Sequence, residues 1–269
     1  MLKTLKTLHK PDKIFDTGGN PLLVMCDDLE DWVCKHSRES SKLVNELLGS
    51  CFAKHWQLHT PEISLITVSK DHIPSKIQAA NFNKHCFGSQ YIKKSKELDY
   101  PTFGMFDDYN FRRKVVNKDD FLLICLFDIW LSNEDRNHNN SNLLLDYTDL
   151  GKIRFTVFDH DAIFNSNNLN LGVYQINDFD SLLYSELGGK IYRNKQTLVK
   201  AVDNIMEKFY ICVSICEDNL KEIIHLIPDS WEVDRNLLEH RLTDNLFTNK
   251  WLKECEFNFR SIVQTCIII

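Results

Sequence analysis

The chain has 269 residues, of which 43% are hydrophobic, enough to bury a core as one large domain or as two closely packed lobes. That composition excludes a disordered chain, and a net charge of −6 with scattered Lys and Arg lacks the basic footprint of a protein that tracks phosphate backbones. Nucleic acid is therefore not an expected direct partner.

Nine cysteines, Cys26, Cys34, Cys51, Cys86, Cys125, Cys212, Cys216, Cys255 and Cys266, make an odd number in a chain far larger than disulfide-stapled mini-domains. Most sit in apolar runs such as LLICLF, where a thiol acts as a small hydrophobe, and no CxxC pair occurs. Cys212 and Cys216, one helical turn apart, read as packing. The opening MLKTLKTLHKPDK has no continuous apolar stretch, and no run approaches the ~20 residues that span a bilayer. A soluble protein of the reducing cytoplasm, with no membrane partner, is the expectation.

In chain order, DTGG at Asp16 to Gly19 precedes an apolar run Leu22 to Met25, a turn-like CDDLED, and a second run Trp32-Val33-Cys34 ending in Lys35. This predicts a glycine turn followed by a strand hairpin. From Ser41 to Leu58, apolar residues at 43, 44, 47, 48, 51 and 52 predict a helix with one apolar face, stopped by Thr60-Pro61. Residues 63–68 read as a strand, 81–92 as an extended segment containing Phe87-Gly88-Ser89, and the stretch onward to Lys118 as loop-rich. A boundary between a smaller β-rich first half and a helical second half falls near 95.

Asp119 to Leu131 (DDFLLICLFDIWL) is apolar on nearly every side, which predicts a buried helix. It emerges into SNEDRNHNNSN, a run without a single hydrophobe. A strand Leu143 to Leu145, a turn containing Gly151 and a strand 153–158 then lead into Asp159-His160-Asp161. Such a hairpin returns the polar loop and Asp159 to the same end. Beyond Asn165 the pattern is helical: 195–226, a break at Pro228, 231–246 and a last segment to Ile269, with Trp231 as a core anchor of the last helices.

Phosphoryl transfer leaves a protein little covalent work: it holds phosphates, places metal ions and orients an attacking hydroxyl. Asp135 and Asn140, five apart on an irregular loop, allow one side chain to face a hydroxyl while the other turns to a metal. Asp159 adds the hard oxygen ligand that Mg²⁺ prefers. The plain alternative is a solvated turn, since Asn and Asp favour turns in any case.

With the words WLSNEDRNHNNSNLLL and FTVFDHDAIF, the sequence resembles the HipA-like kinases, relatives of the phosphatidylinositol kinases and more remotely of the eukaryotic-type protein kinases. The resemblance implies an α+β, two-lobed protein-kinase-like fold: a small β-rich N-lobe over residues 1–94 and a larger, mainly helical C-lobe over 95–269. It implies ATP and Mg²⁺ as cofactors, Asp135 as catalytic base, and Asn140 and Asp159 as metal ligands. Upstream, Gly18-Gly19-Asn20-Pro21 stands where the phosphate-covering loop belongs, and Lys35 where the family keeps its phosphate-binding lysine. Glu46 is either the partner of Lys35 or a solvated surface glutamate. Phe87-Gly88-Ser89 falls at the interlobe hinge, with Phe87 as an adenine contact or a core residue.

Two departures stand out. Related kinases carry His directly after Asp-Arg, whereas here Asn137 follows Arg136 and His138 comes one place later. The metal segment is Asp-His-Asp where protein kinases have Asp-Phe-Gly, so Asp161 competes with Asp159 or supplements it. The resemblance implies transfer to a Ser or Thr hydroxyl on a protein, in a toxin–antitoxin or stress-response setting with an antitoxin or regulatory partner. Alternatives are a lipid or small-molecule kinase, a nucleotide-binding pseudokinase with a regulatory role, and a metal-dependent phosphoesterase built on Asp135, His138, Asp159, His160 and Asp161.

Overall fold

A computed structural model describes residues 2–267. A six-stranded sheet, in the order β1-β5-β6-β4-β3-β2, is formed by β1 (Thr4–Lys6), β2 (Lys13–Ile14), β3 (Leu22–Met25), β4 (Asp31–Lys35), β5 (Ile63–Thr67) and β6 (Cys86–Gln90). β1 pairs with β5 in parallel and every other pairing in the sheet is antiparallel. A three-stranded antiparallel sheet follows from β7 (Ser95–Glu97), β8 (Leu143–Asp146) and β9 (Arg154–Val157). From Leu187 onward the described chain is helical with short turns. The molecule is thus a β-rich N-terminal region followed by a helical C-terminal one.

Strand alternation decides what faces the groove between the sheets. Along β4, Trp32 and Cys34 are buried in a small core with Leu22, Val24, Ile66 and Cys86, so Val33 and Lys35 point the other way. Phe87 is paired with Lys35 across β4 and β6 and belongs to the larger core. Residues Phe87-Gly88-Ser89 therefore lie inside a strand, and the connection from one sheet to the other is 91–94, just beyond them.

The helix Ser40–His55 departs from the one-faced expectation: every residue from Leu43 to Ala53 is buried. It is covered by β6, by the turn at Ile163–Asn167 and by the helices Lys195–Asp218 and Leu220–His225. Periodicity within the helix marked only the most apolar of these contacts. Gly49 is needed at one of them, because a Cβ there would collide with the ring of His160. The helix Asp120–Leu131 is buried from Phe121 to Leu131, as its composition demands.

The stretch 95–118, expected to be loop, contains β7 and two one-turn helices, Tyr100–Phe103 and Tyr109–Arg112. Asp99 and Thr102 close a reciprocal capping box with Pro101 in the first turn, a local signal that outweighs the breaker reading of proline. Trp231 is buried, yet it anchors β6 and not only the last helices: its indole N–H donates to the His85 carbonyl at 2.7 Å, beside a 2.8 Å contact between His85 Nδ1 and Ser230 Oγ. The cysteines are all free, and apart from half-buried Cys266 all are buried. Among the described residues no helix is long and apolar enough to cross a membrane.

Candidate active site

A cleft of about 940 Å³ opens between the two sheets. Its lining brings together Gly18 and Gly19, Lys35, Glu46, Phe87, Asp135, Asn140, Asn142, Asp159 and Asp161. Every residue assigned to the kinase site from the sequence thus reaches one concave surface, from elements spread over more than half of the chain, whereas His138 and His160 do not line it.

Lys35, at the end of β4, donates to Glu46 Oε1 and, at 2.8 Å, to Asp159 Oδ1. Glu46 is 2% exposed and Oε2 accepts the backbone N–H of His160 at 3.2 Å, so the glutamate joins the strand, its own helix and the Asp159 segment. Burial penalises all three charges, but the outcomes differ. Lys35 is held well above its ordinary value because the two carboxylates outweigh its desolvation. Desolvation dominates for Glu46 and pushes it up to about 8 against the pull of Lys35. Asp159, also desolvated, is drawn down to about 2 by the Lys35 ammonium. One cation serves two carboxylates, and Asp159 keeps the firmer negative charge.

The polar loop is built on a buried ion pair. Arg136, fully buried, donates to Asp128 on the preceding helix, to the Phe158 carbonyl at 2.7 Å and to the Asn142 carbonyl at 3.3 Å. Asn133 adds a 2.9 Å side-chain bond to Asp128. The loop start, the loop end and the strand exit before Asp159 are thereby tied to a single guanidinium. Leu143 pairs with Val157, so the loop and Asp159 leave the hairpin side by side.

Asp135, half-buried, projects from this frame. Its Oδ2 accepts Asn140 Nδ2 at 2.9 Å and Asn142 Nδ2 at 2.7 Å. The amide nitrogen of Asn140 is thus committed to Asp135, which leaves its oxygen to the cleft. Ser132, Asn142 and Asp159 have φ of 50°, 45° and 59°, left-handed conformations at the two ends of the loop and at the exit of the second sheet. Asn and Asp tolerate this region better than most residues, and non-glycine left-handed backbone concentrates where a site requires it.

Glu46, Asp159 and Asp161 each offer an oxygen, all within 4.8 Å of one another. With Glu46 engaged by Lys35, the two aspartates form the outward-facing pair. Asp161 is pushed up by burial and by the charge of Asp159. Asn45 fixes this segment by donating to the Asp161 carbonyl at 3.0 Å and to Asn167 Oδ1 at 2.8 Å.

Gly18 and Gly19 form the exposed tip of the turn between β2 and β3, and an added Cβ at either would meet nothing within 4 Å. Phe87, 1% exposed, closes the rear of the cleft, while Gln90, Tyr91 and Ile92 line its edge. His138 lies outside the cleft, its Nδ1 3.2 Å from the Phe179 carbonyl and its ring 5.1 Å from Tyr184. His160 is fully buried against Phe127, with both ring nitrogens unpartnered, and burial holds it well below its ordinary value, as a neutral ring. Neither histidine joins the aspartates as a metal ligand in this arrangement.

Sequence reasoning missed Asp128, Asn142 and Asn45. Asp128 had a readable signal, a lone interior carboxylate in an otherwise apolar helix that demands a buried cation. Asn142 shares the asparagine-rich run with Asn140, and spacing alone does not separate their duties.

The family described as HipA-like kinase matches residues 13–259. A comparison with curated proteins finds no match. Among solved structures, the chain is similar to the Helicobacter pylori proinflammatory kinase CtkA, with a TM-score of 0.55, 14% identity and 97% of each chain covered. A weaker likeness is to HipA of Shewanella oneidensis MR-1, from its toxin–antitoxin complex with HipB and operator DNA: TM-score 0.42, 10% identity, 87% of this chain and 58% of that one. The match over residues 13–259 takes in the cleft, the polar loop and most of the C-terminal helices, and the chain belongs to the HipA-like kinase family.

Proposed function

We propose that this protein is an ATP- and Mg²⁺-dependent kinase that transfers the γ-phosphate to a Ser or Thr hydroxyl on a protein, with lobes divided near residue 95. The observation that supports it most is the convergence of Lys35, Asp135, Asn140 and Asp159 on one cleft. The donor set suits the cofactors: carboxylate and amide oxygens match a hard divalent cation, and an ammonium beside an open glycine turn matches phosphate. Asp159 and the Asn140 oxygen would hold Mg²⁺, with Asp161 as a further carboxylate. When bound, Mg-ATP supplies the phosphoryl group and the charge that neutralises it.

The chain's own residues do the positioning. Asp135, oriented by the Asn140 and Asn142 amides, keeps Oδ1 without a protein partner among the described residues, ready to accept the proton of an acceptor hydroxyl. Lys35 spans Glu46 and Asp159 and so fixes how far the sheet stands from the aspartates. A protein acceptor, an antitoxin-type partner and a cytoplasmic setting rest on family membership alone. Incubation with radiolabelled ATP tests the reading: label should reach the protein or an acceptor in a lysate, and Asp135→Ala should stop it while nucleotide still binds. Bound ATP with no label on any species would make the chain a regulatory nucleotide-binding module.

A further inference from the structure

The kinase reading leaves one wall of the cleft without a role. Arg38 and Lys42, just before and inside the start of the Ser40–His55 helix, and Lys76, on the segment between β5 and β6, are exposed and line the cleft. Among the described residues none of the three is ion-paired with a carboxylate, although the chain carries a net charge of −6. Lys35, by contrast, is committed twice over. The acids of the cleft gather on the aspartate side, and Glu39 is the single carboxylate that 36–42 and 76–81 contribute to its lining.

The backbone that carries these cations is held in place, and the Arg38 side chain with it. Arg38 donates to Gln78 Oε1, its carbonyl accepts Lys84 Nζ at 2.6 Å, and Lys84 reaches Ser40 Oγ at 2.9 Å. His36 lies 4.6 Å from the Phe82 ring and 3.3 Å from Asn81 Nδ2. The 76–84 segment is thus clamped to the chain that joins β4 to the helix. None of these bonds neutralises a charge, so the cations remain available to a ligand entering the cleft.

We infer that Arg38, Lys42 and Lys76 select the acceptor, and that the acceptor is a polypeptide segment with acidic residues flanking its hydroxyl. The inference rests on the kinase reading of the same cleft. A polypeptide fits better than the other polyanions: among the described residues the patch is confined to one cleft wall, without the long basic stripe that a nucleic-acid backbone requires, and no basic amphipathic helix accompanies it there for a membrane surface. Charges at such a rim set encounter and specificity more than tight affinity, so their effect belongs in KM and is weakened by salt.

The test compares phosphate transfer to two synthetic peptides, one serine flanked by glutamates and the same serine flanked by lysines, in the full chain and in the Arg38→Glu/Lys76→Glu variant. The expected result is a preference of about tenfold or more in kcat/KM for the acidic peptide, lost or reversed in the variant and reduced by salt, with Mg-ATP affinity unchanged. Equal transfer to both peptides overturns the inference while leaving the kinase reading intact. So does a variant that loses ATP affinity and keeps its peptide preference, or stronger competition from a single-stranded RNA or phosphoinositide vesicles than from the acidic peptide. Absence of transfer to any species with Mg-ATP bound overturns the kinase reading itself, and this inference with it.

Discussion

Lys35 Nζ and Asp159 Oδ1, 124 residues apart in the chain, meet at 2.8 Å across the cleft, and Glu46 takes the same ammonium from the other side. A strand of the first sheet, a buried helix and the exit of the second sheet are joined at a single nitrogen. Its removal should be felt in stability as well as in any phosphate transfer.

Lys35→Met should abolish detectable phosphate transfer and lower stability by about 1–3 kcal/mol, because it strands the buried Glu46 carboxylate and leaves half-buried Asp159 without its cation. Adding Glu46→Gln should recover part of that stability and none of the transfer. Urea denaturation beside a labelling assay reads both, and equal stability of the single and double variants would refute the shared-cation account.

Asp135 and Asp159 should fail differently. Asp135→Ala removes the proposed proton acceptor and should lower turnover roughly 10²–10⁴-fold at nearly constant Mg-ATP affinity. Asp159→Ala should chiefly shift the Mg²⁺ dependence of nucleotide binding to higher concentration. Isothermal titration with and without Mg²⁺ separates the two, and identical profiles would contradict the division of roles.

The Arg136–Asp128 pair is the frame of the loop, with side chains 0% and 2% exposed. Burial pushes Asp128 up to about 6 while Arg136 pulls it back. Breaking the pair with Arg136→Met should cost about 3–5 kcal/mol, since a buried carboxylate is left without its cation. Arg136→Met/Asp128→Leu should restore much of the melting temperature yet leave transfer impaired, because the Phe158 carbonyl loses its donor and the Asn142 carbonyl keeps only the 3.4 Å bond from the Phe158 N–H.

Gly49→Ala would drive a methyl group into the His160 ring next to Asp159. Overpacking of this kind costs about 1–3 kcal/mol. Reduced transfer should accompany the lower melting temperature, and Gly49→Ala with His160→Gly, which removes the Cβ that the new methyl meets first, should relieve the steric part.

Stability should carry a signature of Asp120, which burial pushes up to about 6, helped by Asp119 and opposed by Lys208. A carboxyl raised in the folded state holds a proton that the unfolded chain has released. Its contribution is therefore full below the unfolded value of 3.8 and is lost as pH rises through about 6. Asp120→Asn should raise stability above that pH by about 1 kcal/mol, after allowance for partial exposure, and flatten the decline between the two values. Denaturation at several pH values checks the sign.

Much of this architecture is legible in local pattern. The apolar run 119–131, the polar loop after it, and two short strands around Gly151 announce a buried helix, an irregular loop and a hairpin that must bring Asp135 and Asp159 to one end. The reason is that side-chain periods of 3.6 and 2 report each element's own faces. Lys35 at a strand end and Asn140 within the loop follow from the same reading.

What periodicity does not report is a neighbour supplied by another element. Glu46 is buried because its helix is covered by β6 and by chain more than a hundred residues later, so its own helical stripe left it ambiguous. Likewise Asp128 met its guanidinium, Trp231 found the His85 carbonyl, and Arg38 and Lys76 came to share a wall only once the sheets and helices had packed. Charges and hydrogen-bond donors are satisfied by whatever lies nearest in space, and that distance is set by tertiary packing.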